Sequence, residues 1–132
     1  MLEQFLSTLA AELELEGVPK KDKEGRFCLQ LNAEQLLLVQ QSEGGILLHA
    51  RIGELPLSRQ EEVLILLMKG NFLGQGTGGA VIGLEEDEKF LTLSQPLTYD
   101  MNYAHFKLAL EQFANFLAYW QGELASQGLK TS

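Results

Sequence analysis

One cysteine, two histidines and ten lysines and arginines are all that 132 residues hold of those types, and each scarcity closes off a class of function. Cys28 has no second cysteine for an internal disulfide and no neighbours at metal-ligand spacing. It reads as a small core residue in a chain suited to a reducing cytoplasm. Against the ten cations stand 18 aspartates and glutamates, a formal net charge of −8. Nucleic-acid binding depends on clustered Lys and Arg. The KKDK run at 20–23 lies between Pro19 and Gly25 and reads as a solvated loop, so no nucleic-acid partner is expected. The longest unbroken apolar run, VLILLM at 63–68, is far too short for a membrane span. The first residues, MLEQFLSTLAAELELEG, carry glutamates where an export leader would carry lysines. A cytoplasmic chain that inserts in no membrane is therefore expected, its acidity keeping exposed apolar surface in solution.

Catalytic motifs are equally sparse. His49 falls in a strand pattern and His105 on the last helix, with no H-E-x-x-H spacing and no nucleophile motif beside either. Both read as structural. The acidic cluster EEDE at 85–88 lacks the alternating ligands and turning glycine of an EF-hand and reads as a solvated turn. No enzyme, metal or cofactor is expected.

What the chain does have is a glycine-rich run, NFLGQGTGGAVIG at 71–83, in which Gly74, Gly76 and Gly79 satisfy G-x-G-x-x-G. A dinucleotide fingerprint needs its glycines after a strand and before a helix, whose N-terminal amides meet the pyrophosphate. Here they follow a helix and lead into AVIGL, so they present a helix C-terminus, whose partial negative charge repels phosphate. Gly74 or Gly76 reads as the left-handed residue that stops the helix, and Gly78 and Gly79 as the reversal into the next strand.

Apolar periodicity orders the rest. Phe5, Leu6, Leu9 and Leu13 recur at helical spacing and predict an amphipathic helix over 2–16, closed by Gly17 and Pro19. RFCLQL, QLLLVQQ and ILLHARI then read as three antiparallel strands. Residues 36–39 and 46–48 are apolar on both faces, which implies a sheet covered on one side and not fully wetted on the other. Ser58 and Glu61 form a capping box ahead of a helix over 59–73. Its residues Val63 to Met68 spread around most of the circumference, so no single surface buries them all. Either the sheet and a terminal helix cover two sides, or a second subunit does. A second hairpin, 80–84 with KFLTLS, brings Phe90, Leu91 and Leu93. The last helix, capped by Asp100, carries Phe106, Ala109, Leu110, Phe113, Leu117 and Trp120 on one stripe. The fold class is thus α+β, in the order α-β-β-β-α-β-β-α, an antiparallel sheet packed with helices in one domain over 1–132.

That order, together with LLMKGNFLGQGTGGAVIGLEEDEKFLTLSQPL, resembles the class I chaperones of bacterial type III secretion, the CesT/SycE family. The most specific part is the leucine-rich helix running into N-x-x-G-x-G-T-G-G and then a hairpin ending in L-x-L-S. An acidic pI near 4.7 suits that family. The resemblance implies a cytoplasmic, ATP-independent homodimer that binds the N-terminal segment of a secreted protein and keeps it soluble, non-globular and fit for secretion. It places the dimer interface on residues 58–73, with Val63, Leu64, Leu67 and Met68, and on the following strand with Ala80 and Ile82. Client contacts are expected from Leu2, Phe5, Leu6 and Leu9 of the first helix and from Phe27, Leu36, Leu38 and Leu47 of the meander, part of that pool being core. An extended client adds a strand to a sheet edge and presses alternate side chains into pockets. Two rivals stand beside this reading: a regulatory adaptor holding a gatekeeper or transcription factor, and a small-molecule binder or enzyme in an α+β pocket.

Overall fold

The structure is a computed structural model, and it describes residues 2–14, 21–32, 35–42, 45–71, 79–98 and 101–129. Helix α1 (Leu2–Glu12) precedes strands β1 (Arg26–Asn32), β2 (Gln35–Ser42) and β3 (Gly45–Glu54). Helix α2 (Gln60–Asn71), strands β4 (Val81–Leu84) and β5 (Phe90–Thr98) and the long helix α3 (Tyr103–Leu129) follow. The α+β class and the element order are those expected from periodicity.

Leu2, Leu6 and Leu9 fall on one face of α1 and are buried, while Phe5 stacks on the Phe106 ring at 5.2 Å. The helix ends earlier than 16. Glu14 turns left-handed at φ 55° and Leu13 stands 46% exposed. The expected terminators, Gly17 and Pro19, lie outside the described residues.

The sheet is fully antiparallel in the order β1-β2-β3-β5-β4. The meander and the second hairpin are joined by the long β3–β5 ladder, which runs from Gly45↔Thr98 to Glu54↔Phe90. Strand β5 continues past KFLTLS through Pro96, because β4 pairs only as far as Ser94 and the missing proline N–H deprives no neighbour there. At that same end of the ladder Gly45 must be glycine: a Cβ would fall 1.7 Å from the Leu97 carbonyl oxygen.

Two helix starts differ from expectation. The first intrahelical bond of α2 runs from the Val63 N–H to the Arg59 carbonyl, with Arg59 at φ 57° and its Nε donating to Glu62 at 2.6 Å. The helix therefore starts one residue past the Ser58 box, and no hydrogen bond joins Ser58 to Glu61. Helix α3 is capped by Asn102, whose Oδ1 accepts from the His105 N–H at 2.9 Å. Asp100 lies outside the described residues.

One core joins these elements. Inward positions alternate along the strands: Phe27 and Leu29, Leu37 and Val39, then Ile46, Leu48, Ala50 and Ile52. They meet Leu91, Leu93, Val63, Leu67 and the α3 stripe of Phe106, Leu110, Phe113, Leu117 and Trp120. Each such Leu or Phe stabilises the fold by roughly 1.5–3 kcal/mol through burial. Helix α2 reaches α3 closely because residue 70 is glycine, and a Cβ there would sit 2.4 Å from Trp120 Cζ2. All three helices feed this one core, so among the described residues the opposite face of the sheet carries no helix.

Candidate functional site

On that open face, the alternation that buries Phe27 and Leu29 turns Arg26 and Cys28 outward. Cys28, expected in the core, is exposed for this reason. The ladders align one residue from each strand into a row: Cys28, Leu38, His49, Ser94 and Val81. His49 is its centre. Leu36 is 48% exposed beside this row, and Leu38 and Leu47 are half-buried.

Two open clefts share Arg26, Leu38 and His49 as walls. The larger, about 530 Å³, adds Leu36, Ala50, Arg51 and Glu85. The smaller, about 200 Å³, adds Gln40 and Leu47. The cations around them are neutralised by the chain itself. Arg26 donates to Asp22 Oδ2 at 3.1 Å and pairs with Glu24 at 2.8 Å. Arg51 grips Glu85 through two bonds, 2.6 and 3.1 Å, while its guanidinium lies 3.9 Å over the Phe90 ring. His49 Nδ1 is 2.6 Å from Ser94 Oγ. Burial, with Arg26 and Arg51 nearby, holds the imidazole below its ordinary pKa of 6.5, against the opposing pull of Glu85.

The residues named from sequence thus divide. Leu36, Leu38 and Leu47 come together on the open face. Leu2, Leu6, Leu9 and Phe27 belong to the core, at 0 to 4% exposure, and offer no surface; Phe5 is half-buried between α1 and α3. Apolar periodicity finds a buried face without telling whether its cover is the chain itself or a partner.

A second apolar surface lies on α2, with β4 packed beneath it. Val63, Leu67, Ala80 and Ile82 are turned into the core, Leu64 is half-buried, and Met68 is 70% exposed. Beside Met68, one turn back on α2, stands Ile65 at 47%, which sequence alone does not single out. The i, i+3 relation of Ile65 and Met68 carries the signal once Val63 and Leu67 are known to face inward. A groove of about 590 Å³ between α2 and α3 is lined by Leu66, Gly70, Phe116, Tyr119 and Trp120. Residues 72–78, most of the glycine run, lie outside the described residues. Gly79 is left-handed at φ 99° and leads into β4, which follows α2 as the sequence implies.

Among the described residues no helix is long and apolar enough to cross a membrane, and no cluster of three His, Cys, Asp or Glu stands where it could hold a metal ion.

Residues 4–121 match the family of Tir chaperone proteins, CesT. The chain belongs to that family. The match bears out the resemblance to class I type III secretion chaperones. A Chlamydia pneumoniae protein is 29% identical over 126 residues, covering 94% of this chain and 96% of that one. Among solved structures, a chain of the ExsC–ExsE complex superposes with a TM-score of 0.76 at 16% identity, over 93% of this chain and 92% of that one. A chain of the ExoU–SpcU complex from the type III secretion system of Pseudomonas aeruginosa gives 0.68 at 18%, over 94% of each. The Yersinia pestis structure of the secretion chaperone SycH with a stable fragment of YscM2 gives 0.67 at 17%, over 91% of this chain and 99% of the matched one. At these identities the likeness is one of fold.

Proposed function

We propose that the chain acts in the bacterial cytoplasm as an ATP-independent chaperone, a homodimer that binds the N-terminal segment of a type III secreted protein and keeps it soluble, non-globular and ready for export. The observation that carries this reading is the open sheet face, where Leu36, Leu38 and Leu47 line two clefts in a fold whose solved neighbours include complexes with other proteins. Binding there makes and breaks no bond, so the function needs no cofactor or nucleotide. The buried members of the original pool, Leu2, Leu6, Leu9 and Phe27, take part as the rigid support beneath the sheet.

Dimerisation is assigned to Ile65 and Met68 with the half-buried Leu64. Val63, Leu67, Ala80 and Ile82 shape that surface from below. Strand addition by the client has two edges to choose between. Strand β1 is already bridged by Lys21 opposite Phe27, and β4 is bound at Ile82 by the Asn71 side chain. The remaining length of β1, beyond Phe27, is the edge that suits an extended client.

Affinity purification of the tagged chain from its native cytoplasm, with mass spectrometry and light scattering of the complex, tests the proposal. A larger secreted protein held through its N-terminal region by two copies is the expected result. A monomer carrying nothing, or an unexported regulator, overturns it.

A further inference from the structure

Sequence alone makes His49 a structural residue, yet it occupies the middle of the open face and walls both clefts. Its Nδ1 is committed to Ser94. Its Nε2 makes no hydrogen bond among the described residues, and no side-chain nitrogen or oxygen there is both unpartnered and sealed from solvent, so Nε2 reaches the groove. Whichever tautomer Ser94 selects, Nε2 keeps one hydrogen-bonding function for whatever lies above it.

The surroundings define what that is. On β3 the outward neighbours two residues either side of His49 are Leu47 and Arg51, each belonging to a different cleft. A strand advances about 6.7 Å per two residues. Where a client passes from the β1 edge over the face, an extended stretch lying above β3 and parallel to it sets side chain i in one cleft, i+2 over His49 and i+4 in the other. Both clefts contain leucine, and Arg26 and Arg51 are already paired with Asp22, Glu24 and Glu85, so neither cation of the groove is left unpaired for an acidic client side chain.

We propose that His49 is the specificity-determining residue of this face, reading an uncharged hydrogen-bonding side chain flanked at i and i+4 by apolar ones. The assignment rests on the open face being the client surface. A site built around a polar group discriminates against an analogue that leaves that group unpaired. It also makes binding pH-dependent. The groups facing His49 are Arg26 and Cys28 from β1, Arg51 on β3, Ser94 on β5 and Glu85 beyond β4, while β2 contributes the non-titrating Leu38 and Gln40. Covering the imidazole with an uncharged segment removes more water beside two guanidiniums, so the neutral form binds better.

The probe is a fluorescein-labelled peptide, Ser-Gly-Leu-Thr-Xaa-Thr-Leu-Gly-Ser, with Xaa as Asn, Leu or Lys, titrated with the full chain and followed by anisotropy. The Asn peptide is expected to bind about fivefold more tightly than the Leu peptide at pH 7.5, the yield of one net hydrogen bond, and the Lys peptide most weakly. Affinity for the Asn peptide should fall below pH 6.5, by at most about tenfold per unit for one proton. His49→Phe should abolish the Asn preference. His49→Gln should keep part of it and lose the pH dependence, and circular dichroism shows whether each variant is folded. Equal binding of the Asn and Leu peptides by the unaltered chain, no binding at millimolar peptide, or an unchanged preference in a folded His49→Phe overturns the assignment. Leu38→Glu separates the two levels: if it abolishes peptide binding while His49→Phe keeps the preference, the face is right and His49 is not its reader. If Leu38→Glu leaves binding intact, or turns a dimer into a monomer, the face itself is misassigned.

Discussion

Asn71 holds Ile82 by both of its backbone groups. Its Nδ2 donates to the Ile82 carbonyl at 2.8 Å and its Oδ1 accepts from the Ile82 N–H at 2.6 Å. A side-chain amide thus takes the place of a strand neighbour on the outer edge of β4, tying the end of α2 to the sheet across the glycine run. Asn71→Ala should lower stability by about 1–3 kcal/mol, since two half-buried backbone groups lose their partners. Urea melts measure the loss, and faster amide exchange at Ile82 identifies its source.

Two glycines on helices should respond in opposite ways to alanine. Gly70→Ala gains helix propensity but drives a methyl to 2.4 Å from the Trp120 ring, so overpacking prevails and the protein loses about 1–3 kcal/mol. Gly122 has nothing within 4 Å of its Cβ position, and Gly122→Ala should gain up to about 1 kcal/mol. Thermal melts by circular dichroism give both signs.

The open face and the core are separable by charge. Leu36→Glu, at a site 48% exposed, should abolish client binding with a nearly unchanged melt. Leu6→Glu, at 1% exposure, should unfold the chain by burying an unpaired carboxylate. An unfolded Leu36→Glu would show that leucine to be structural.

If the proposed dimer forms through α2, a double substitution, Ile65→Glu with Met68→Glu, should leave a folded monomer in light scattering. Both side chains are largely exposed in the single chain, at 47% and 70%, so their loss leaves the core intact. A dimer of unchanged mass would move the interface elsewhere.

Acid should loosen the contact of α1 with α3. Glu12 accepts from Lys107 Nζ at 2.7 Å and from Tyr103 Oη at 3.1 Å, and the Lys107 bond leads in holding its carboxyl below the ordinary 4.5. A depressed folded pKa means that this stabilisation is complete above 4.5 and is lost as pH falls through the folded value. Glu12→Gln should flatten the stability profile below pH 4.5 and leave its neutral branch parallel, as urea melts across that range will show.

Much of this architecture is legible in the sequence. The helical spacing of Leu2, Leu6 and Leu9 and of the α3 stripe finds the helices, and the alternation in β1 finds its strand. What escapes is long-range. Pairing of β3 with β5 depends on residues some forty apart in the chain, and no local pattern announces it. In β2 and β3 apolar residues occupy both faces, so period two cannot say that Leu37 is core and Leu38 is surface; the side on which the helices dock decides. His49 escapes for the same reason. Inside a strand it resembles any tolerated histidine, and its place appears once five strands line up beneath it. Cys28 fails oppositely, a residue type usually buried that the register of β1 turns outward.

The close fit of Gly70 against Trp120 gives the molecule an optical gauge. Trp120 is its sole tryptophan, 3% exposed, with the Tyr119 ring edge-on at 5.1 Å. Its emission therefore reports the seating of α2 on α3 without any added label: blue while the glycine side of α2 covers the indole, and red once that helix lifts and water reaches the ring.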